Sequence, residues 1–139
     1  MGLARYSLTA LDCPDPLTLA AFYSRVTGLA IAPTPEDPRD VTWVELVHAT
    51  GPTLAFQRVA SYVAPTWPEG PVPQQLHLDF EVDDLDEGER AVRAAGATLA
   101  AVQPGETGGE DRFRVFLDPV GHPFCLVLRS GGPEPTTTP

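Results

Sequence analysis

A histidine stands at the start of a run in which polar and apolar residues alternate, His77 to Val82, within the stretch QQLHLDFEVDD. Alternation of this kind places His77 on one face of a strand together with Asp79 and Glu81. An imidazole beside a few polar groups can bind a metal ion, polarise a ligand or transfer a proton. We predict that His77 and Asp79 line a pocket. The alternative is a structural histidine held by Asp79 or Gln75.

The second candidate is Glu45, a carboxylate among apolar residues in the run VTWVELV. Alternation puts it on the same face as Trp43 and Val47. A carboxylate in such surroundings suits a general base, which removes a proton next to a carbonyl. A structural salt bridge to Arg58 or Arg114 is an equally good interpretation.

Three aromatic side chains are candidates for the wall of a site that takes a planar or cationic ligand: Trp43, Phe56 and Trp67. Aromatic rings in strands usually pack in the core, which is the competing interpretation for Trp43 and Phe56. Trp67 differs because it lies in the proline-rich segment ASYVAPTWPEGPVP. A large ring there must pack over the core or over a ligand opening.

Charge and composition exclude several classes of partner. The 139 residues carry a formal net charge of -10, which excludes nucleic acid and anionic membranes and is compatible with a neutral or cationic small molecule. We expect a cytoplasmic protein, because the sequence has no bilayer-length apolar run and no signal-peptide pattern. Cys13 and Cys125 are too few for a disulfide scaffold, so we expect two reduced thiols.

Two similar successions of elements must position these residues. We predict unit one over about 5–59, a connector over 60–75 and unit two over about 76–129, all within a single domain, 1–130. Each unit begins with a strand and continues with a helix and three further strands. The tail, 131–139, has no apolar residue to anchor it, and we expect it to be disordered.

The helices are the clearest part of this pattern. Asp15 followed by Pro16 is a preferred N-terminal cap, and Gly28 is a typical stop. Asp84 and Gly96 have the same roles in unit two. The strands that follow the helices are predicted near 29–33, 41–47 and 53–59 in unit one and near 97–103, 112–118 and 123–129 in unit two.

These features together resemble the vicinal-oxygen-chelate superfamily, which includes glyoxalase I, extradiol dioxygenases and bleomycin resistance proteins. The resemblance rests on Asp15 with Phe22-Tyr23, on His77 to Asp84, and on the hairpin Phe116 to Phe124. It implies an α+β fold in which two βαβββ units form a curved mixed sheet around a cavity, with the helices outside. It also implies a homodimer that binds a small molecule.

The resemblance further implies four metal-ligand positions, which this chain fills with Leu8, Glu45, His77 and Cys125. Only Glu45 and His77 match the expected types, because leucine has no lone pair to donate and a carboxylate is usual where Cys125 stands. Cys125 could complete a Glu/His/Cys set suited to zinc, but its neighbours are apolar. We therefore expect an incomplete site and no cofactor, with a divalent metal as the alternative.

Two functions follow from the resemblance. The first is a protein that binds an apolar or cationic small molecule with little or no catalysis. The second is a metal-dependent lyase, isomerase or dioxygenase-type enzyme, in which Glu45 abstracts a proton and His77 binds metal or polarises the substrate. A purely structural domain, with its cavity filled by side chains, is the third alternative.

Overall fold

The computed structural model describes residues 2–104 and 112–129. The chain divides into two compact units, Met1–Ala64 and Pro65–Pro139, and we use "unit one" and "unit two" for these from here on. The boundary falls inside the segment 60–75, where the sequence predicts a connector. The predicted disordered tail, 131–139, lies outside the described residues. Within the described ranges, no helix has the length and apolar character needed to cross a membrane.

Unit one has the order strand, helix, strand, strand, strand. Its elements are β1 (Leu8–Cys13), α1 (Pro16–Thr27), β2 (Ala30–Ile31), β3 (Trp43–Val47) and β4 (Thr53–Arg58), with a short 3-10 turn at Pro38–Asp40. The four strands form one sheet in the order β1-β4-β3-β2. The β1 and β4 strands are parallel and the other pairs antiparallel, so the sheet is mixed.

The helix of unit one begins where the sequence predicts. The Asp15 carboxylate accepts hydrogen bonds from the Leu17 N–H (3.1 Å) and the Thr18 hydroxyl (2.8 Å). Gly28 ends the helix with a φ of 75°, a left-handed conformation that glycine adopts without strain. The buried face of α1 packs against β3 and β4, with Tyr23 stacked on Phe56 at 5.5 Å between ring centroids.

Unit two repeats this succession. Its elements are β5 (Leu78–Val82), α2 (Leu85–Ala95), β6 (Thr98–Leu99), β7 (Phe113–Leu117) and β8 (Pro123–Leu128). The strand order is β5-β8-β7-β6, again with one parallel pair, β5 and β8. Phe124 is the centre of the core, with its ring 5.6 Å from that of Phe116 and 5.9 Å from that of Phe80. The two βαβββ units confirm the predicted α+β fold.

Two strands are shorter than predicted. The β2 strand covers only Ala30–Ile31, and prolines at 33 and 35 remove the backbone donors that would extend it. The β6 strand ends at Leu99, although the Ala100 N–H still donates to the Val115 carbonyl of β7 at 3.0 Å. Further bonds to β7 come from the side chain of Gln103. Its Nε2 donates to the carbonyls of Ala100 (2.9 Å) and Val115 (2.7 Å), and its Oε1 accepts from the Val115 N–H (2.9 Å).

Candidate ligand-binding cleft of unit two

Unit two contains a cleft of about 210 Å³. Its lining is mainly apolar, with an imidazole, an amide and a thiol as its polar groups: Trp67, Gln74, His77, Pro104, Phe113, Val115, Pro123 and Cys125. Apolar walls with a few polar groups are the usual composition of a small-molecule site. Two of the side chains predicted to contact ligand, Trp67 and His77, therefore line the same cleft.

The parallel pairing of β5 with β8 brings the polar groups together. Asp79 lies directly opposite Cys125 in this register. His77 precedes β5, two residues before Asp79, and its Nε2 is 3.2 Å from the Asp79 Oδ1. The His77 and Asp79 side chains are 45% and 56% exposed, so both can be reached from solvent. The two interpretations of His77 coexist, since it lines the cleft and is also held by Asp79.

The Cys125 thiol lies at the inner end of this polar group and is buried. Burial raises the pKa of Cys125 to about 11, and the charge of Asp79 and a hydrogen bond with its carboxylate add to the increase. The thiol is therefore protonated at neutral pH and is a poor nucleophile. In the absence of metal, the Cys125 side chain lines the cleft as a small, largely apolar group next to Asp79.

Trp67 is held in place by a loop that closes on itself. The Thr66 N–H donates to the Val72 carbonyl at 2.6 Å, and the Val72 N–H donates to the Thr66 hydroxyl at 3.1 Å. Gly70, with a φ of 140°, lies against the Thr66 side chain. The Trp67 ring packs on a buried cluster of Ala100, Val115 and Cys125. The loop thus fixes an aromatic wall beside the polar group.

Sequence reasoning did not assign roles to two glutamines of this region. Gln74 lines the cleft, and its Oε1 is buried without a hydrogen-bond partner among the described residues. Gln103 ties the segment after β6 to β7, as described above. Gln74 precedes the alternating run and Gln103 is the last residue of the strand predicted near 97–103, and neither position indicates a role for the side chain. Gln75, the alternative partner for His77, instead donates to the Pro73 carbonyl at 3.3 Å.

The candidate residues of unit one lie on its strands β3 and β4. Trp43 lies on β3 and is 40% exposed, so a ligand can reach its ring. Glu45 lies two residues further along the same strand, is half-buried and pairs with Ala55 of β4. For Phe56, the structure favours the competing interpretation, packing in the core, over a place in a ligand wall. Its ring is fully buried and stacks on Tyr23, so it belongs to the core of unit one.

Of the two arginines that the sequence suggests as partners of Glu45, Arg58 lies in unit one and donates to the Pro38 carbonyl at 3.2 Å. In unit two, Arg114 pairs with Asp86 at 2.9 Å and with Glu89 at 3.2 Å. Among the described residues of unit one, no salt bridge explains the carboxylate of Glu45.

The four metal positions implied by the superfamily resemblance do not form a complete donor set. Leu8 occupies the first position on β1, where it pairs with Thr53 of β4, and it has no donor atom. Cys125 occupies another position as a buried protonated thiol. A metal held at these four positions does not fit the residues present.

Comparison with known proteins agrees with this architecture. The model of the family described as "Glyoxalase-like domain" matches residues 9–127. No curated protein is similar enough to the chain to count as a match.

Several solved structures share the fold. A glyoxalase/bleomycin resistance protein/dioxygenase family enzyme from Burkholderia phytofirmans PsJN is 21% identical, with 90% of this chain and 98% of that chain covered and a TM-score of 0.63. A glyoxalase/dioxygenase from Nostoc punctiforme is 19% identical, with 93% of each chain covered and a TM-score of 0.64. The oxidase ChaP-H2 is 22% identical, with 94% and 98% covered and a TM-score of 0.62.

Proposed function

Because the chain belongs to the glyoxalase-like domain family, within the vicinal-oxygen-chelate superfamily, we propose that its cleft in unit two binds a small neutral or cationic organic molecule. The observation that carries this proposal is a mainly apolar cleft that the Trp67 ring lines together with the polar side chains of His77 and Gln74. The function is binding, and catalysis is not required for it.

The size of the cleft limits the ligand. Sites for drug-sized compounds enclose about 300–1,000 Å³, whereas this cleft encloses about 210 Å³. Its walls include Phe113, Val115 and Pro123, so a ligand gains binding free energy by burying apolar surface against them. The favoured ligand is accordingly a compound of about one aromatic ring or a short branched chain.

The charge of the cleft limits the ligand further. The described lining contains no arginine, and the Asp79 carboxylate lies next to His77. The chain as a whole carries a formal net charge of -10. An anionic ligand would be repelled by this field, whereas a cation would be attracted and could stack on the face of Trp67.

A fluorescence titration tests this proposal. Trp43 and Trp67 are the only tryptophans of the chain, so Trp43→Phe leaves Trp67 as the single reporter. The probes are benzylamine, benzyl alcohol and benzoate, which share a ring and differ in charge. We expect saturable changes with the first two at a Kd on the order of 1 mM, because about eight heavy atoms at about -0.5 kcal/mol each give about -4 kcal/mol.

Two controls make the titration decisive. Benzoate should bind at least tenfold more weakly than benzylamine, and Val115→Phe should fill the cleft and abolish the response while the fold persists by circular dichroism. The absence of a saturable response to both benzylamine and benzyl alcohol would show that the cleft does not take such a ligand. A preference for benzoate would contradict the electrostatic part of the proposal.

The enzymatic alternative is a lyase, isomerase or dioxygenase-type reaction in which Glu45 acts as a base and His77 polarises the substrate. It is supported by the structural relatives, which include an oxidase and a glyoxalase/dioxygenase. The incomplete set of metal positions argues against it. If a turnover assay finds a substrate, loss of turnover in Glu45→Gln with unchanged ligand affinity would favour this alternative over binding alone.

We also propose that the chain forms a homodimer, as members of the superfamily commonly do. Sedimentation equilibrium tests this directly. A dimer has twice the mass of the 14.9 kDa chain.

A further inference from the structure

Three potential metal ligands converge at the polar end of the cleft. The donor atoms of His77, Asp79 and Cys125 all lie within 4.8 Å of one another. The convergence is built into the backbone, because the parallel register sets Asp79 opposite Cys125. The imidazole of His77 is drawn to the same place by its 3.2 Å contact with the Asp79 Oδ1.

A catalytic cysteine does not explain this arrangement. A nucleophilic thiol needs a base or a positive charge at the sulfur. Here the His77 Nε2 lies 3.2 Å from the Asp79 Oδ1, and the group opposite Cys125 in the strand register is the Asp79 carboxylate. A carboxylate near the sulfur does not supply the positive charge that an activated thiol needs.

A structural ion pair explains only part of it. The His77–Asp79 contact joins two side chains that are 45% and 56% exposed, and such pairs contribute about 0–1 kcal/mol. It gives no reason for a thiol beside the same carboxylate. One nitrogen, one oxygen and one sulfur around a common point are, however, the ligand types that Zn²⁺ takes in proteins.

We propose that unit two, without any residue of unit one, binds one thiophilic divalent ion such as Zn²⁺ through His77, Asp79 and Cys125. The ligand atoms of a tetrahedral zinc site lie roughly 3.3–3.7 Å apart, whereas the donor atoms here lie within 4.8 Å of one another. Side-chain rotation must therefore shorten the longest donor–donor distance by about an ångström. The thiol loses its proton to solvent on binding. Thiolate and carboxylate together then neutralise the charge of the ion, and the fourth position faces the cleft.

This site differs from the four positions implied by the superfamily. It uses Asp79, which is not one of them, and it is unaffected by Leu8. It shares His77 and Cys125 with the cleft, but benzylamine binding is measured on the metal-free chain and Zn²⁺ binding without benzylamine. The two proposals can therefore fail separately.

Cobalt titration of the untagged, full-length chain under a phosphine reductant tests the site. A thiolate bound to Co²⁺ gives a near-ultraviolet charge-transfer band that reports sulfur ligation directly. We expect this band to saturate at one equivalent of Co²⁺ and to be removed by one equivalent of Zn²⁺. Mg²⁺, which prefers oxygen ligands, should not remove it.

The chain offers a matched control for each ligand. Cys125→Ser should abolish the band, whereas Cys13→Ser should retain it. His77→Gln should weaken Zn²⁺ binding at least tenfold, because even the outer partners of metal ligands contribute about 10–100-fold to affinity. His122→Gln, which changes a histidine outside the proposed site, should leave Zn²⁺ binding unchanged. Asp79→Asn should weaken binding in the same way as His77→Gln.

Several outcomes would overturn the site. These are no Zn²⁺ bound at micromolar concentration by the wild-type chain, a band that survives in Cys125→Ser, or Zn²⁺ affinity unchanged by both His77→Gln and Asp79→Asn. Circular dichroism of each variant separates loss of the site from loss of the fold. If benzylamine binds while Zn²⁺ does not, only the metal site is refuted.

Discussion

Replacing Gly70 by alanine should release Trp67 from the cleft. Gly70 has a φ of 140°, where residues with a side chain are strained. A Cβ at this position would lie 2.5 Å from the Thr66 hydroxyl oxygen and 2.7 Å from the Thr66 Cβ. Thr66 must therefore move, although its hydroxyl accepts the Val72 N–H that closes the loop.

The magnitude follows from these two effects. Holding alanine in that backbone region costs about 1–3 kcal/mol. Loss of the Val72 N–H to Thr66 hydroxyl bond adds about 0.5–1.5 kcal/mol. The sum is about 1.5–4.5 kcal/mol, and an opened loop avoids the strain at position 70, so we expect the loop to open and Trp67 to become exposed.

The assay uses Trp43→Phe, so that the fluorescence comes from Trp67 alone. Gly70→Ala should shift the emission to longer wavelength and weaken benzylamine binding by about tenfold or more, since 1.4 kcal/mol corresponds to a factor of ten. Gly51→Ala is the matched control. A Cβ there meets only the His48 ring, at 3.5 Å, which is an ordinary contact.

The reasoning would be refuted if Gly70→Ala kept the emission maximum and benzylamine affinity of Gly51→Ala. That result would mean that the loop does not position Trp67. A loss of all secondary structure in Gly70→Ala would instead show that the loop stabilises the whole unit, which the local contacts of Gly70 do not predict.

Three further predictions concern single side chains. Asp118→Ala should lower the free energy of unfolding, measured in urea, by about 2–4 kcal/mol, because the buried carboxylate accepts two backbone N–H groups, at 2.9 Å and 3.0 Å. Asp118→Asn keeps an acceptor and should lose less than half as much. Equal losses in the two variants would contradict this role of the carboxylate. In Cys13→Ser, the rate of Cys125 alkylation by iodoacetamide should rise more than about tenfold between pH 9 and 11, because burial and the Asp79 carboxylate raise the pKa of Cys125 from 9.0 to about 11. A rise of only about twofold over this range would show an ordinary thiol. Phe56→Ala should destabilise the chain by about 3–5 kcal/mol in the same urea assay, since the ring is fully buried, and a loss under 1 kcal/mol would argue against its assignment to the core.

The helices and the repeat could be predicted because their signals are local. Asp15 and Asp84 satisfy free N–H groups within one turn of chain, and Gly28 and Gly96 end the helices with positive φ. Such chemistry depends on neighbours in sequence. The order and spacing of these elements resemble those of the vicinal-oxygen-chelate superfamily, and that resemblance predicted the α+β fold of two βαβββ units.

The burial of Phe56 could not be predicted from alternation. Leu54, Ala55 and Phe56 are buried in succession on β4. A two-residue period identifies a core face only where the opposite face is exposed. In the run that begins at His77 and contains β5, the opposite face is exposed, since His77, Asp79 and Glu81 are exposed and alternate with partly buried residues. Alternation therefore places these polar residues on one face, although only His77 of them lines the cleft.

The cleft itself depends on contacts between residues distant in sequence. Gln103 takes its place through hydrogen bonds to Val115, and Gly70 is required only because Thr66 lies against it. The three-donor group needs the register of β5 on β8, which pairs Asp79 with Cys125. Composition and periodicity carry no information on such pairings.

The central claim is that unit two carries an open cleft for a small neutral or cationic molecule. The most direct measurement is a crystal structure of the wild-type chain soaked with benzylamine. We predict density for one benzylamine in the cleft lined by Trp67, Phe113 and Pro123, with its ammonium group toward His77 and Asp79. A cleft filled by the chain's own side chains, or benzylamine bound only elsewhere on the chain, would contradict the claim.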